Sequence, residues 1–207
     1  MSNESAVSRR ELLKRLGLAG VGIFALPELS RVLSFRQQVF AQSQVLSAAE
    51  SATLTAICAR IIPTDETGPG AVEARAATYI ERALGGWLAP SRADYAEGLA
   101  AVDAAARAKS GRRFAELAPA EQDAVLTGIE DTPFFALVRS HTLQGTFCDP
   151  AYGGNANFVG WDLIGYPGVR LNVTAADQRM SEYAKPIRRS AYEYAMFANT
   201  MGAANGH

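Results

Sequence analysis

Apolar side chains recur at helical spacing along most of the chain that follows residue 46. The first such segment begins at Ser47 and has Glu50 three residues later, which is the spacing of a capping box. The apolar face of this predicted helix carries Leu54, Ile57, Cys58, Ile61 and Ile62. Pro63 follows directly and lacks a backbone N–H, so we expect the helix to end there.

The same periodicity predicts four more helices. The second is expected to end at Gly85-Gly86 and to bury Val72, Ala76, Tyr79, Ile80, Ala83 and Leu84. The third spans about residues 91–109 and is rich in alanine, the strongest helix former. The fourth begins near Pro119 and contains Val125, Leu126 and Ile129. The fifth is capped by Thr132, starts at Pro133, and has Phe134, Leu137, Val138 and His141 along one side. A last short helix is predicted at residues 174–177.

The regular spacing is absent between residues 145 and 168. Glycines interrupt this segment, and aromatic side chains lie between them at Phe147, Tyr152, Phe158, Trp161 and Tyr166. A loop this long is more often functional than idle, and its aromatic content argues against disorder. The aromatic side chains either form a contact surface or fold inward to complete the core, and the sequence favours neither. No alternating strands are found, so we predict an all-α fold: a small helical bundle with a long, ordered, Gly/aromatic-rich loop near the C-terminal third.

Residues 1–41 have the order of features of a twin-arginine export signal. The motif consists of Ser8, Arg9, Arg10, Leu12, Leu13 and Lys14. An apolar run of eleven residues follows at 16–26 and is too short for a membrane span, which needs about 20. Its glycines suit the twin-arginine route better than the general secretory one. We expect cleavage after Ala41. The alternatives are an uncut signal that anchors the protein and an amphipathic helix with a chance pair of arginines.

Length and charge agree with one exported domain. The chain of 207 residues is long enough for a single domain, which we place at residues 42–207 after the signal. Residues 1–41 hold six basic and three acidic side chains, which leaves 14 basic and 18 acidic ones for the domain. A basic leader before a mildly acidic body fits an exported soluble protein. It gives no indication of a nucleic-acid partner.

Two cysteines are present, and an oxidising compartment permits them to pair. Cys58 lies on an apolar helix face, where a buried free thiol is the ordinary outcome. Cys148 lies at a predicted junction of helix and loop and is the better candidate for a disulfide. Three outcomes are open: a bond between Cys58 and Cys148, a bond to another chain, or two free thiols.

The sequence contains no self-sufficient catalytic constellation. His141 and His207 have no cysteine or carboxylate at zinc-ligand spacing. Gly153-Gly154 follows no predicted strand and lacks the spacing of a dinucleotide-binding motif. A stand-alone enzyme would have to use loop carboxylates as catalytic groups, and the candidates are Asp65, Glu66, Asp149 and Asp162. Such groups usually cap helices or face solvent. We therefore expect no cofactor in this chain.

Two long segments resemble the signatures of the gluconate 2-dehydrogenase subunit 3 family. Residues 61–74 read IIPTDETGPGAVEA, and residues 141–155 read HTLQGTFCDPAYGGN, with the likeness continuing through GWDLIGYPG at residues 160–168. Cys148 departs from the family pattern. The resemblance implies a small periplasmic subunit that escorts and stabilises an FAD-binding large subunit of the glucose-methanol-choline type. It also implies that the twin-arginine translocase exports the pair, that a cytochrome c accepts the electrons, and that the complex lies in the periplasm or on the outer face of the inner membrane.

On this reading the chain has no catalytic residues of its own and offers a docking face for the flavoprotein. The expected face consists of His141, Gln144, Gly145, Phe147, Asp149, Tyr152, Gly153, Gly154, Asn155, Trp161 and Tyr166. The partner would oxidise a sugar or sugar acid, with gluconate, a ketose and carbon 3 of a glucoside all open. Two other classes compete with this interpretation: a stand-alone periplasmic enzyme that uses loop carboxylates, and a signal-anchored structural protein.

Overall fold

A computed structural model describes residues 45–175, 178 and 185–197. The predicted signal at residues 1–41 lies outside these described residues, as do two of the four residues of the short helix predicted at 174–177. The described residues contain six α-helices and no β-strand, which confirms the all-α prediction. None of these helices combines the length and the hydropathy that a membrane span requires.

The helices are separated by short connections and, after the fifth, by the long loop. Their bounds are α1 Ala48–Ile61, α2 Ala76–Leu84, α3 Arg92–Ser110, α4 Pro119–Thr127, α5 Pro133–Phe147 and α6 Val159–Leu163. Short 3-10 helices lie at Ala89–Ser91, Phe114–Glu116, Pro150–Tyr152, Ala156–Phe158 and Ala191–Glu193. Between residues 148 and 168 the chain thus forms a loop with short helical turns.

The predicted caps set the helix boundaries. Ser47 and Glu50 form the expected capping box, with the Ser47 N–H donating to Glu50 Oε2 at 2.7 Å and the Glu50 N–H donating to Ser47 Oγ at 3.3 Å. At the start of α5, Thr132 Oγ1 accepts the N–H of Phe135 at 3.2 Å. These bonds occupy donors that have no partner inside a helix.

Two details of the predicted helices are wrong. Val72 does not lie on α2, because residues 71–75 form turns and Arg75 adopts a left-handed conformation with φ 56° immediately before the helix. As a result, Val72 is 48% exposed. Ile129 does not lie on α4, which ends at Thr127, and its half-buried side chain belongs to the turn before α5.

The core forms around α1, which contacts α2, α3, α4 and α5. Its fully buried side chains include Leu54, Ile57, Ile80, Leu84, Tyr95, Leu99, Val102, Phe114, Val125 and Val138. Among the described residues one charged side chain is buried, that of Asp103. Its carboxylate accepts the Thr53 hydroxyl and the Phe114 N–H, both at 3.1 Å. A buried charge of this kind needs such partners, and here it links α3 to α1 and to the following 3-10 helix.

Candidate functional site

The two signature segments are in direct contact. The N–H of Ala156, directly after residues 141–155 of the second segment, donates to the Ala74 carbonyl of the first at 3.1 Å. Gly145 on α5 lies so close to α2 that a Cβ on it would be 2.9 Å from the Ala76 carbonyl oxygen. A Cβ on Gly154 would be 2.0 Å from the Gly145 carbonyl oxygen. These glycines therefore permit close approach of three backbone segments.

Asn155 holds the long loop together. It is fully buried and left-handed, with φ 44°, a conformation that asparagine tolerates better than most residues. Its side-chain N–H donates to the Cys148 carbonyl, and its side-chain oxygen accepts the Gly160 N–H, both at 2.8 Å. Asn157 and Phe158 follow with φ values of 55° and 63°. One side chain thus joins the end of α5 to the start of α6.

The first signature segment forms a hydrogen-bonded turn. Glu73 accepts the Thr64 hydroxyl at 2.6 Å and the Gly70 N–H at 3.0 Å. Asp65 accepts the hydroxyl and the N–H of Thr67, at 2.5 and 2.8 Å. Hydrogen bonds from the two threonine hydroxyls lower the pKa of the Glu73 and Asp65 carboxyls. These hydrogen bonds hold the turn between α1 and α2 in shape.

Several residues expected at the docking face lie in the interior instead. His141 is 7% exposed, and its Nδ1 forms a hydrogen bond of 2.9 Å with the Tyr95 hydroxyl. Burial lowers the pKa of His141, so the ring is neutral near pH 7. Trp161 is 6% exposed and donates its indole N–H to the Phe147 carbonyl at 3.0 Å. Gly145, Gly154 and Asn155 are buried as well. These five residues shape the site from within.

Asp149 ties the end of the described chain to the loop. One carboxylate oxygen accepts the Ser190 hydroxyl at 2.6 Å, and the other accepts the Ala191 N–H at 2.7 Å. The hydroxyls of Tyr152 and Tyr192 form a further hydrogen bond next to this one. Residues 190–192 therefore pack along the loop, a role that the sequence did not indicate for them.

An open groove of about 520 Å³ lies between α2, the end of α5 and the loop. It is lined by Tyr79, Trp87, Gln144, Phe147, Cys148 and Tyr152, which we call the aromatic groove. Three of its rings are in contact edge to face: the centroid of Trp87 lies 6.0 Å from that of Tyr79 and 5.9 Å from that of Tyr152. Tyr192 extends this row, 5.8 Å beyond Tyr152. Trp87 is 54% exposed, so a large apolar ring faces solvent at the centre of the groove.

The aromatic groove contains three of the residues expected at the docking face, and one exposed residue that the sequence analysis missed. Gln144, Phe147 and Tyr152 were expected at a docking face, and the Gln144 amide oxygen accepts the Tyr79 hydroxyl at 3.1 Å. Trp87 was missed because it follows the end of α2, outside any periodic segment. Gly153 lies within the loop beside Arg82. Tyr166 lies apart, 40% exposed, against the edge of Trp161.

Both cysteines are free in the structure. The Cys58 thiol is buried, forms a hydrogen bond of 3.3 Å with the Thr142 hydroxyl, and has a pKa raised to about 11, mainly by burial. Cys148 is half-buried at the edge of the aromatic groove, and burial raises its pKa to about 11 as well. Of the three outcomes, a bond between Cys58 and Cys148 is therefore not formed here. Neither thiol has the lowered pKa of a reactive nucleophile.

Three of the four loop carboxylates have structural partners, and the fourth, Glu66, is exposed. Asp65 closes the turn at Thr67, Asp149 holds residues 190 and 191, and Asp162 forms an ion pair of 2.7 Å with Arg188. Within the described ranges, no group of three or more His, Cys, Asp and Glu side chains is arranged to hold a metal ion. The site is thus a surface of aromatic and amide groups on a hydrogen-bonded frame.

Fold and site together define a small all-helical domain with an exposed aromatic groove built on its second signature segment. A sequence model of the family described as gluconate 2-dehydrogenase subunit 3 matches residues 48–168, more than half of the chain. The chain belongs to this family, whose members are by description subunits of a dehydrogenase complex. No curated protein and no solved structure matches the chain significantly.

Proposed function

We propose that this chain is the non-catalytic small subunit of a periplasmic, FAD-dependent sugar or sugar-acid dehydrogenase of the gluconate 2-dehydrogenase or glucoside 3-dehydrogenase type. In this proposal residues 1–41 provide a twin-arginine signal for the whole complex. The helical domain binds and stabilises a flavoprotein of the glucose-methanol-choline type. FAD and the oxidation chemistry reside in that partner, and a cytochrome c receives the electrons.

The observation that supports a docking role most directly is the aromatic groove. Trp and Tyr bury large areas at small entropic cost and dominate the binding energy of protein interfaces. Trp87 is more than half exposed in this chain, and its rings are already fixed by contacts with Tyr79 and Tyr152. A surface that is ordered before binding loses little conformational entropy when the partner covers it.

Alanine substitution of Trp87 tests the docking face. We expect Trp87→Ala to weaken binding of the purified flavoprotein about 30-fold, which corresponds to the roughly 2 kcal/mol of an interface hot spot. Tyr166→Ala is the matched control, because Tyr166 is also an exposed aromatic ring but lies outside the groove. It should change the dissociation constant less than about threefold. Biolayer interferometry with the tagged chain measures both.

The two variants also test where on this chain the flavoprotein binds. Loss of binding in Tyr166→Ala with full binding in Trp87→Ala would move the docking face to the end of α6. Full binding in both variants would contradict a docking face at the aromatic groove. Thermal melts followed by circular dichroism establish that each variant is folded.

The export role is tested separately at the signal. The double variant Arg9→Lys, Arg10→Lys should retain both this chain and the flavoprotein in the cytoplasm, as judged by fractionation and flavin absorbance. A flavoprotein that reaches the periplasm normally in this background contradicts the escort role, whatever the binding measurements show. Intact mass of the exported chain distinguishes cleavage after Ala41 from a retained anchor.

A separate measurement tests the alternative that the chain is a stand-alone enzyme. Purified chain without the flavoprotein should neither retain flavin nor oxidise sugars. Turnover by the isolated chain would instead assign chemistry to the loop carboxylates. The bonds made by Asp65, Asp149 and Asp162 give that interpretation no support, because each carboxylate has a structural partner.

A further inference from the structure

A second groove lies on a different face of the domain, between α3 and α5. Its volume is about 540 Å³, within the range of protein sites that bind ligands or side chains. The apolar part consists of Val102, Ile129, Phe134 and Leu137, and the polar part includes two carboxylates, Asp94 and Glu97. We call it the α3–α5 groove.

Close contact between the two helices forms the floor of the groove. Gly98 on α3 faces the ring of Phe134, and a Cβ at Gly98 would lie 2.1 Å from a ring carbon. The Phe134 ring therefore rests on the backbone of α3, and it also packs edge to face against Tyr95 at 5.8 Å. Ile129, Phe134 and Leu137 remain only half-buried as a result. The groove is an apolar furrow between two helices that has no third helix over it within the described residues.

The charge of the groove is of one sign. Asp94 and Glu97 are both exposed and lie one turn apart on α3, and no basic side chain lines the groove among the residues described. The turn that precedes α5 adds a further exposed carboxylate at Asp131, two residues after the lining residue Ile129. An occupant that carries positive charge along its edge would be attracted here, whereas an acidic one would be repelled.

We propose that the α3–α5 groove binds a basic amphipathic helix of a partner protein. The furrow between two helices accepts a ridge of apolar side chains at helical spacing, as in ordinary helix packing. Lysine or arginine side chains flanking that ridge pair with Asp94 and Glu97. This surface is separate from the aromatic groove, so one chain can contact two partners or two parts of one partner. The proposal does not depend on what covers the aromatic groove.

A model peptide tests the chemistry directly. The probe is a fluorescein-labelled helix of about 15 residues, made of leucine at helical spacing with lysine elsewhere. The control peptide replaces every lysine with glutamate. We expect the leucine–lysine peptide to bind the full chain at least about tenfold more tightly than the leucine–glutamate peptide, and to bind less tightly as salt is raised.

Matched variants establish where the peptide binds. Ala101 is an exposed residue of α3 that lines the groove, so Ala101→Trp should occlude it and abolish binding with little effect on folding. Glu97→Gln should weaken binding about twofold to fivefold, as expected for an exposed ion pair. Glu66→Gln is the control, since Glu66 is an exposed carboxylate on the turn before α2. It should leave the dissociation constant unchanged.

Three results would overturn the proposal. Equal binding of the two peptides would exclude recognition of positive charge. Equal weakening by Glu97→Gln and Glu66→Gln would indicate non-specific attraction to an acidic protein. Self-association of the chain that Ala101→Trp removes, measured by analytical ultracentrifugation, would assign the groove to a second copy. Because peptide binding and flavoprotein binding are separate assays, failure here leaves the proposed docking at Trp87 untouched.

Discussion

Replacement of Asn155 tests whether one buried side chain holds the long loop on the helical domain. Asn155→Ala removes the donor to the Cys148 carbonyl and the acceptor from the Gly160 N–H, two hydrogen bonds of 2.8 Å. The buried Gly160 N–H is left without this bond at a cost of about 1 to 3 kcal/mol, and the half-buried Cys148 carbonyl at a cost of about 1 kcal/mol. Alanine also tolerates the left-handed conformation at φ 44° less well than asparagine, by about 1 kcal/mol. We expect a total loss of about 3 to 5 kcal/mol.

Asn157 provides the matched control. It has nearly the same backbone conformation, with φ 55°, but its side chain is exposed. Asn157→Ala should therefore lose only the conformational part, about 1 kcal/mol. Asn155→Gly separates the two contributions at the buried position, since glycine adopts the left-handed conformation freely but makes neither hydrogen bond.

Urea denaturation provides the measurement. Circular dichroism reports the helices, and in a Trp87→Phe background the fluorescence of Trp161 reports the loop, because the chain has two tryptophans. We expect the Trp161 transition to move to lower urea in Asn155→Ala and to precede the helical one. Equal stability of Asn155→Ala and Asn157→Ala would refute the reasoning, because the two hydrogen bonds would then contribute nothing measurable.

Two further predictions concern the core and the glycines. Burial lowers the pKa of His141, so the folded state binds fewer protons than the unfolded state. The free energy of unfolding should therefore fall as the pH drops below about 6.5. His141→Gln should flatten this dependence in urea titrations between pH 5 and 8. Gly154→Ala should destabilise the domain by about 3 kcal/mol, because its Cβ would meet the Gly145 carbonyl oxygen at 2.0 Å. Gly86→Ala should leave the stability unchanged, because its Cβ would have no neighbour closer than 3.8 Å. Thermal melts measure both glycine variants.

The helices could be predicted from local sequence, whereas the structure of the long loop could be predicted only in part. Capping residues such as Ser47 and Thr132 act within one turn, so their effect can be read without knowledge of the fold. The loop has no periodicity, so the sequence could not tell which aromatic side chains point inward. The structure contains both kinds: Trp161 completes the core, whereas Tyr166 is exposed.

The aromatic groove depends on contacts between residues far apart in sequence. Trp87 meets Tyr152 across 65 positions, and Tyr152 meets Tyr192 across 40. No local pattern marks Trp87, which follows a pair of glycines at the end of α2. The burial of His141 is different, because it shares a helix face with Val138 and its inward position was available from periodicity alone.

The signature residues and the contact surface have different roles in this domain. Three signature residues are buried in the domain, where they bring α2, α5 and the loop into contact: Gly145, Gly154 and Asn155. The side chains that face outward are Trp87 and Tyr152, and the row they begin is completed by Tyr192, which lies beyond the matched residues 48–168. A shared frame can therefore carry different outward side chains. Family membership identifies the frame, whereas the outward row of aromatic side chains extends beyond the matched segment at Tyr192.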